Sequence, residues 1–328
     1  MVYSRELRPI PFFSFHCLWN EEQGFLLVLF SFLLCKERRA ELSDLLHSGV
    51  ERVAQQINNE VKDGNHMAET EEETQKLKIY HITFSPTRGS YHYGSYLANK
   101  LGTEVLIDKT LPAERIDDCV LDQENQIIVV SYPCYGGRMP SLFSAYFKNH
   151  VHLAKGSSVI LLTSYGNRHF DDALVEGFDL VKEKGAEVIG ATAMVTEHVY
   201  TNKVGTGRPN TSDYAVLDAF SSVIQRRLQQ GEKLTDVEGN RPYKTGAAKK
   251  AVYFMPERNE ALCSHCNACY AVCPTGALSA NDPQACLHCL ACVKACKSGA
   301  LTMDMTYLQG AVTFLETHCS KQRESIYC

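Results

Sequence analysis

The stretch Leu77-Lys78-Ile79-Tyr80-His81-Ile82-Thr83-Phe84-Ser85, followed at once by Pro86-Thr87-Arg88-Gly89-Ser90, decides how the middle of the chain folds. Residues 77–85 are rich in β-branched and aromatic side chains and read as a buried strand, and 86–89 read as a turn. A helix through Leu101 follows. The same unit recurs downstream: 104–108, 126–132 (QIIVVSY), 157–163 (SSVILLT) and 187–194 (EVIGATAM) are short apolar runs. Helical patterns at 141–150, 171–184 and 212–229 separate the later ones. Short apolar strands alternating with helices predict a five-stranded parallel, doubly wound α/β sheet, covered on both faces. Sheets of this kind take ligands in the loops beyond the carboxyl ends of their strands. Those loops are 85–90, 133–140 and 164–170.

The first loop places the hydroxyls of Ser85, Thr87 and Ser90 and several backbone N–H groups at a helix N-terminus, a ready anion site. It lacks the lysine of a nucleotide-binding P-loop and the G-x-G-x-x-G of a dinucleotide fingerprint. Gly205-Thr206-Gly207 is only a fragment of the latter. A plainer reading is that the three hydroxyls cap the helix, and the loop alone leaves both open.

Cysteine usage is uneven: of 14, eight fall between Cys263 and Cys296. Cys263, Cys266, Cys269 and Cys273 are spaced x2, x2, x3, with Pro274 next. Cys286, Cys289, Cys292 and Cys296 repeat the spacing 23 residues on, and His265 and Gly276-Ala277-Leu278 recur as His288 and Gly299-Ala300-Leu301 at the same offset. The segment is an internal duplication. Three thiolates two residues apart can take three corners of an iron–sulfur cube, and in two-cluster ferredoxins the fourth cysteine ligates the other cluster. On that rule Cys263, Cys266, Cys269 and Cys296 hold one [4Fe–4S] cluster, and Cys286, Cys289, Cys292 and Cys273 the second, in a small α+β ferredoxin-type domain. Structural zinc favours two C-x2-C pairs across a long spacer, and disulfides need an oxidising compartment. His265 and His288 are expected to be loop residues.

Three segments then resemble a family. Phe84-Ser85-Pro86-Thr87-x-Gly89-Ser90, Tyr132-Pro133-Cys134-Tyr135-Gly136-Gly137-Arg138-Met139-Pro140, and Tyr165-Gly166-Asn167-Arg168-x-Phe170-Asp171-Asp172-Ala173-Leu174 are similar to the ligand loops of flavodoxin-like domains. Among these the chain resembles the EFR1-type family, in which such a domain is fused to a bacterial-type two-cluster ferredoxin. Glu197-His198 and Gly239-Asn240-Arg241-Pro242-Tyr243-Lys244 match as well. The resemblance spans about 77–304 and implies FMN. Ser85, Thr87, Gly89 and Ser90 would hold its phosphate, while Pro133, Cys134, Tyr135, Gly136, Gly137, Tyr165, Gly166 and Asn167 would flank its ring. Arg88 departs from the glycine usual in the family, and either adds a cation to the phosphate contact or crowds a turn. Tyr135 and Tyr165 either stack on the flavin or pack, and Cys134 either adjoins it or is a small buried hydrophobe.

A 45% hydrophobic and 22% charged composition is that of a globular chain, and a net charge of −5 leaves no basic footprint for nucleic acid. The apolar run at 25–34 is shorter than the roughly 20 residues a bilayer needs, so membrane contact through it is not expected. No small-residue cleavage site follows it. Clustered thiols of this kind suit the reducing cytoplasm. Residues 1–76 read as an N-terminal extension, with a helical pattern from Leu42 to Val61, and as a mis-assigned start before Met67 or a targeting arm. The expected order after it is 77–231 flavodoxin-like domain, 232–254 polar linker, 255–304 ferredoxin-type domain, and 305–328 helix and polar tail. The function expected is electron transfer between FMN and two clusters, working anaerobically with unidentified redox partner proteins. The alternative is a ferredoxin-type carrier whose flavodoxin-like domain has lost FMN and serves for docking. A reductase of a small molecule such as a quinone is a third reading. No array for hydrolysis is present, and no catalytic residue is assigned.

Overall fold

The computed structural model describes residues 77–245 and 253–328, together with the backbone of two short strands, β1 (His16–Trp19) and β2 (Leu26–Leu29). These two pair antiparallel within a separate unit, Met1–Glu73. The rest of the expected N-terminal extension, including the helix over 42–61, and positions 246–252 of the linker lie outside the described residues.

From residue 78 the order is β3 (Lys78–Thr83), α1 (Gly89–Leu101), β4 (Thr103–Asp108), β5 (Cys119–Leu121), β6 (Ile127–Pro133), α2 (Ser141–His150), β7 (Val151–Leu153), β8 (Ser158–Tyr165), α3 (Ala173–Glu183), β9 (Glu187–Val195) and α4 (Thr211–Gln230). Strands β4, β3, β6, β8 and β9 lie side by side in that order and all run parallel. This is the flavodoxin-like order 2-1-3-4-5, whose switch point lies between the first and third strands. Side chains alternate between faces with period two. Ile127 and Val129 join Tyr93 and Leu97 of α1 and Leu217, Phe220 and Ile224 of α4. Ile128, Val130 and Tyr132 join Phe143 and Phe147 of α2 and Leu174, Phe178 and Val181 of α3. Both faces are therefore covered, as the uninterrupted apolar runs require. Strands β5 and β7 form a small parallel pair apart from the main sheet.

The remaining chain builds the small domain: β10 (Glu257–Arg258) pairs antiparallel with β11 (Leu301–Thr302), around the one-turn helices α5 (Ala268–Ala271), α6 (Ala277–Ala280) and α7 (Ala291–Ala295). Helix α8 (Gln309–His318) follows, close to the expected position.

The five parallel strands are those the sequence predicts, and one strand is added to them: β12 (Ile326–Tyr327) joins β9 antiparallel, with Ile326 opposite Ala193 and Tyr327 opposite Thr192. The polar tail is thus an edge strand, and two residues carry no periodicity by which a sequence could show it. The described part of the linker packs in part on the sheet domain. Asp172 accepts from the Asn240 N–H at 2.8 Å and the Lys244 N–H at 2.5 Å, and Tyr243 donates to Asp179 at 2.6 Å, so 240–244 lie along α3.

The tail is fastened through a buried cluster. Arg208 pairs with Asp213, the Ser325 hydroxyl donates to Asp213 at 2.6 Å, and the Val195 N–H donates to Ser325 at 3.0 Å. Burial pushes the Asp213 carboxyl up, but Arg208, Ser325 and the Asn210 N–H outweigh it and hold the pKa below the ordinary value. A carboxylate depressed in the fold adds stability above its ordinary pKa and loses it as the pH falls through the lower folded value. Asp213→Asn leaves Arg208 buried without a counter-charge, and urea unfolding at pH 7 should show a loss of about 3–5 kcal/mol. The gap from the parent chain should narrow as the pH falls below about 4, where the parent carboxylate also protonates.

Candidate functional site

A cavity of about 410 Å³ opens at the carboxyl ends of β3, β6, β8 and β9. Its walls come from all three loops expected from the sequence: Thr87 and Gly89; Pro133, Cys134, Tyr135 and Gly136; Ser164, Tyr165 and Gly166. The segment after β9 adds Thr196, Glu197, His198 and Tyr200. The small domain closes one side with Leu287, His288, Cys289 and Lys294.

In the first loop Arg88 precedes α1 with φ 67, a left-handed backbone that costs a non-glycine residue about 1–2 kcal/mol. Its guanidinium donates to Asp108 at 2.5 Å and lies 3.5 Å from the centre of the Tyr91 ring, interactions that offset the strain. It does not line the cavity, so it neither meets an anion there nor fills the space for one. The Ser85 hydroxyl accepts from the Tyr91 N–H at 3.1 Å and so caps the helix, and the Ser90 hydroxyl is buried against that of Ser164 at 2.7 Å. What faces the cavity is Thr87, Gly89 and the head of α1. The N–H groups of Gly89 and Ser90 find no acceptor among the described residues, the arrangement that draws an anion to a helix N-terminus.

In the second loop Tyr135 and Arg138 exchange backbone hydrogen bonds of 2.9 and 3.2 Å across Gly136 (φ 63) and Gly137 (φ 91). Two left-handed residues in succession make a turn that glycine fills without strain. Tyr135 is thereby held at the cavity, and burial, then Cys289 and Tyr200, raise its phenol pKa. Gly137 lies behind the turn, where a Cβ would come within 2.3 Å of Asp171, and lines nothing. Cys134 borders the cavity while its thiol faces the Phe170 carbonyl at 3.4 Å, and burial pushes that thiol up to about 12.

The third loop divides. Gly166 borders the cavity, and a Cβ there would lie 2.5 Å from the His198 ring. Tyr165 packs edge-on to Phe170 with ring centres 5.6 Å apart and directs its hydroxyl to the Glu324 carbonyl at 3.4 Å, so most of its ring is core. Asn167 does not reach the cavity. Its side-chain amide donates to the carbonyls of Cys319 and Lys321 at 2.8 and 3.0 Å and accepts from the Arg323 N–H at 2.8 Å, tying down the tail.

His92, Tyr200 and Lys294 also line the cavity without any motif that marks them in the sequence, and His198 stands there only as part of a matching segment. Burial, then the charges of Lys294 and Arg168, push the His198 pKa down to about 4. Its Nδ1 accepts from the Tyr200 N–H at 3.2 Å, which leaves the proton of the neutral ring on Nε2. Tyr200 is pushed up to about 12 by burial, then by Cys289 and Cys286. His288 is fixed by donating Nε2–H to the Phe254 carbonyl at 2.9 Å and stacking on Phe254 at 4.1 Å.

The eight clustered cysteines fall into two cavities. Cys263, Cys266, Cys269 and Cys296 line one, with Arg258, His265 and Asn267. Cys273, Cys286, Cys289 and Cys292 line the other, among Met255, Leu278, Leu290 and Met303. The fourth thiol of each repeat thus sits with the first three of its partner. Cys273, Cys289 and Cys292 are buried, whereas Cys266 is exposed. Burial pushes the Cys289 and Cys292 thiols up to about 11 and about 12, so only a bound cation would hold them as thiolates at neutral pH. Four thiolates on one zinc would stand about 3.8 Å apart. Among the described residues the only three metal-type donors within 4.8 Å of one another are Glu260, Cys263 and His265. The wider spread of the thiols suits a multi-iron group reached at each corner by one sulfur.

Residues 256–279 match the 4Fe-4S binding domain family. Among curated proteins none matches the chain. Among solved structures it is similar to a flavodoxin from the domain Archaea, at 12% identity over 47% of this chain and 99% of that one, with a TM-score of 0.30. It is similar also to the Fusobacterium nucleatum flavodoxin bound to flavin mononucleotide, at 15% over 47% and 98%, TM-score 0.32. A third likeness is the NAD(P)H:quinone oxidoreductase from Methanothermobacter marburgensis, at 12% over 47% and 96%, TM-score 0.27. The strand order, not these likenesses, carries the fold. The chain joins a flavodoxin-like sheet to a 4Fe–4S binding segment, and among the described residues no helix is long and apolar enough to cross a membrane.

The Cys134 thiol should resist alkylation. With its pKa near 12, iodoacetamide labelling at pH 8 followed by peptide mass spectrometry should show it reacting at least about a hundredfold more slowly than a free cysteine of pKa about 8.5.

Proposed function

We propose that the chain is an electron-transfer iron–sulfur flavoprotein, with FMN in the 410 Å³ cavity and a [4Fe–4S] cluster in each thiol cavity. One observation carries the reading: Leu287 and Cys289 line both the flavin cavity and the second thiol cavity. FMN, when bound, supplies exchange of electrons in pairs or singly, and cubane clusters supply single-electron carriage.

The chain's own residues do the rest. Thr87 and the N–H groups at the head of α1 would hold the phosphate. Tyr135 and Tyr200 would border the ring, and His198, neutral above about pH 4, offers a donor on Nε2. Cys286, Cys289, Cys292 and Cys273 would ligate the cluster beside the flavin. Cys263, Cys266, Cys269 and Cys296 would ligate the other, whose exposed Cys266 gives a redox partner protein its point of approach. A carrier fits this arrangement better than a substrate-specific enzyme, because the small domain stands over one side of the flavin cavity. Thiol ligation of iron suits a reducing compartment such as the cytoplasm.

Anaerobic purification should give about eight irons, eight sulfides and one FMN per chain. Eight irons without FMN would support the docking alternative instead. The exchange of ligands has its own test. Cys263→Ala and Cys296→Ala should each remove about four irons, and the double variant no more than either alone. A double variant stripped of both clusters would show that these two cysteines serve different clusters.

A further inference from the structure

We infer that the flavin cavity and the second thiol cavity bind their occupants cooperatively, through the shared wall formed by residues 287–294. The inference rests on the functional reading above. Leu287 and Cys289 border both cavities, and His288 and Lys294 border the flavin cavity alone. All four belong to the second repeat, so the flavin side of this wall is built by the same turn of chain that carries Cys286, Cys289 and Cys292.

That turn is strained. His288 (φ 51) and Leu290 (φ 57) both adopt the left-handed backbone. Residues other than glycine remain there only where their surroundings over-determine them. The first repeat has the same geometry at His265 (φ 53) and Asn267 (φ 59), and asparagine tolerates it through its short polar side chain. Leucine has no such local compensation. What holds Leu290 is its place among Met255, Cys286, Cys289, Cys292 and Met303 around the thiol cavity. With iron present the three thiols share one anchor on either side of the strained residues. With iron removed that anchor is lost, and the turn is free to relax toward ordinary backbone angles. Relaxation displaces His288 and Cys289 and carries Lys294 with them, so the flavin cavity loses one wall and one cation. Linkage makes the effect reciprocal: whatever factor the cluster adds to flavin affinity, flavin adds to the affinity for the cluster.

The test compares full-length chain, purified anaerobically with its clusters and freed of flavin, with the same chain after chelation of its iron. FMN affinity is read by quenching of flavin fluorescence. The iron-free chain should bind FMN at least tenfold more weakly, and added FMN should slow the loss of iron to a chelator. Equal affinities in the two forms overturn the inference and leave the functional reading standing. No FMN binding by either form overturns that reading and this inference with it. Lys294→Glu, at an exposed position, probes the wall directly in the cluster-loaded chain. It should weaken FMN binding several-fold in the cluster-loaded chain and leave the iron-free affinity unchanged. An equal loss in both forms, or none in the loaded form, overturns the coupling.

Discussion

Two buried carboxylates, Asp172 and Asp213, hold the chain where it departs toward the small domain and where it returns from it. Asp172 stands at the head of α3 and takes N–H groups of Asn240 and Lys244. Asp213 stands in the first turn of α4 and binds Arg208 and Ser325. Each is buried at a cost that its donors more than offset, for each keeps a pKa below the ordinary value despite burial. The small domain is thereby tethered at both ends to one sheet. Tethering at two points restricts where the domain can sit far more than a single linker would. It helps hold Leu287, His288, Cys289 and Lys294 over the loops of β3, β6 and β8.

Direct contacts complete the placement. Arg115 reaches from the loop after β4 to the Pro274 carbonyl at 2.5 Å, while also bonding the carbonyls of Lys109 and Thr110. Thr201 and Lys203 meet Glu316 of α8 at 2.7 and 3.0 Å. The last pair is exposed and worth little by itself. Arg115 is of another kind, since its guanidinium is partly buried and three carbonyls share it. Its one carbonyl in the small domain directly follows Cys273, the first-repeat thiol that lines the second repeat's cavity.

The sequence made the sheet readable because β3, β6, β8 and β9 are apolar on both faces, and a run such as IIVV has no other easy home. The thiol spacing was equally open, because a cube imposes its geometry on residues close together in the chain. Other features were hidden because their causes lie far apart. Asn167 sits in a loop that resembles a flavin loop, yet its amide is spent on carbonyls about 150 positions later. Ser325 and the two-residue β12 have no pattern of their own, and their meaning comes from Asp213 and β9. Arg88 was ambiguous because its side chain had two places to go, and Asp108, in the next strand, decided between them.

The duplication itself shows how one backbone came to serve two surroundings. Aligned at the offset of 23, Ser264 becomes Leu287, Asn267 becomes Leu290 and Ala271 becomes Lys294. The first two changes exchange a polar side chain for an apolar one, and they fall where the second repeat turns away from water toward Met255, Met303 and the flavodoxin-like loops. The third places a cation at the 410 Å³ cavity where the first repeat has only a methyl group. The thiols and the left-handed turns are the same in both repeats, so the difference between them is not one of ligand geometry. It is a difference of solvation: Cys266 is exposed and Cys289 is buried. Because cluster potentials depend on exposure and hydrogen bonding as well as on ligands, clusters held at these two sites of identical sulfur spacing would be set apart by which side chains surround them.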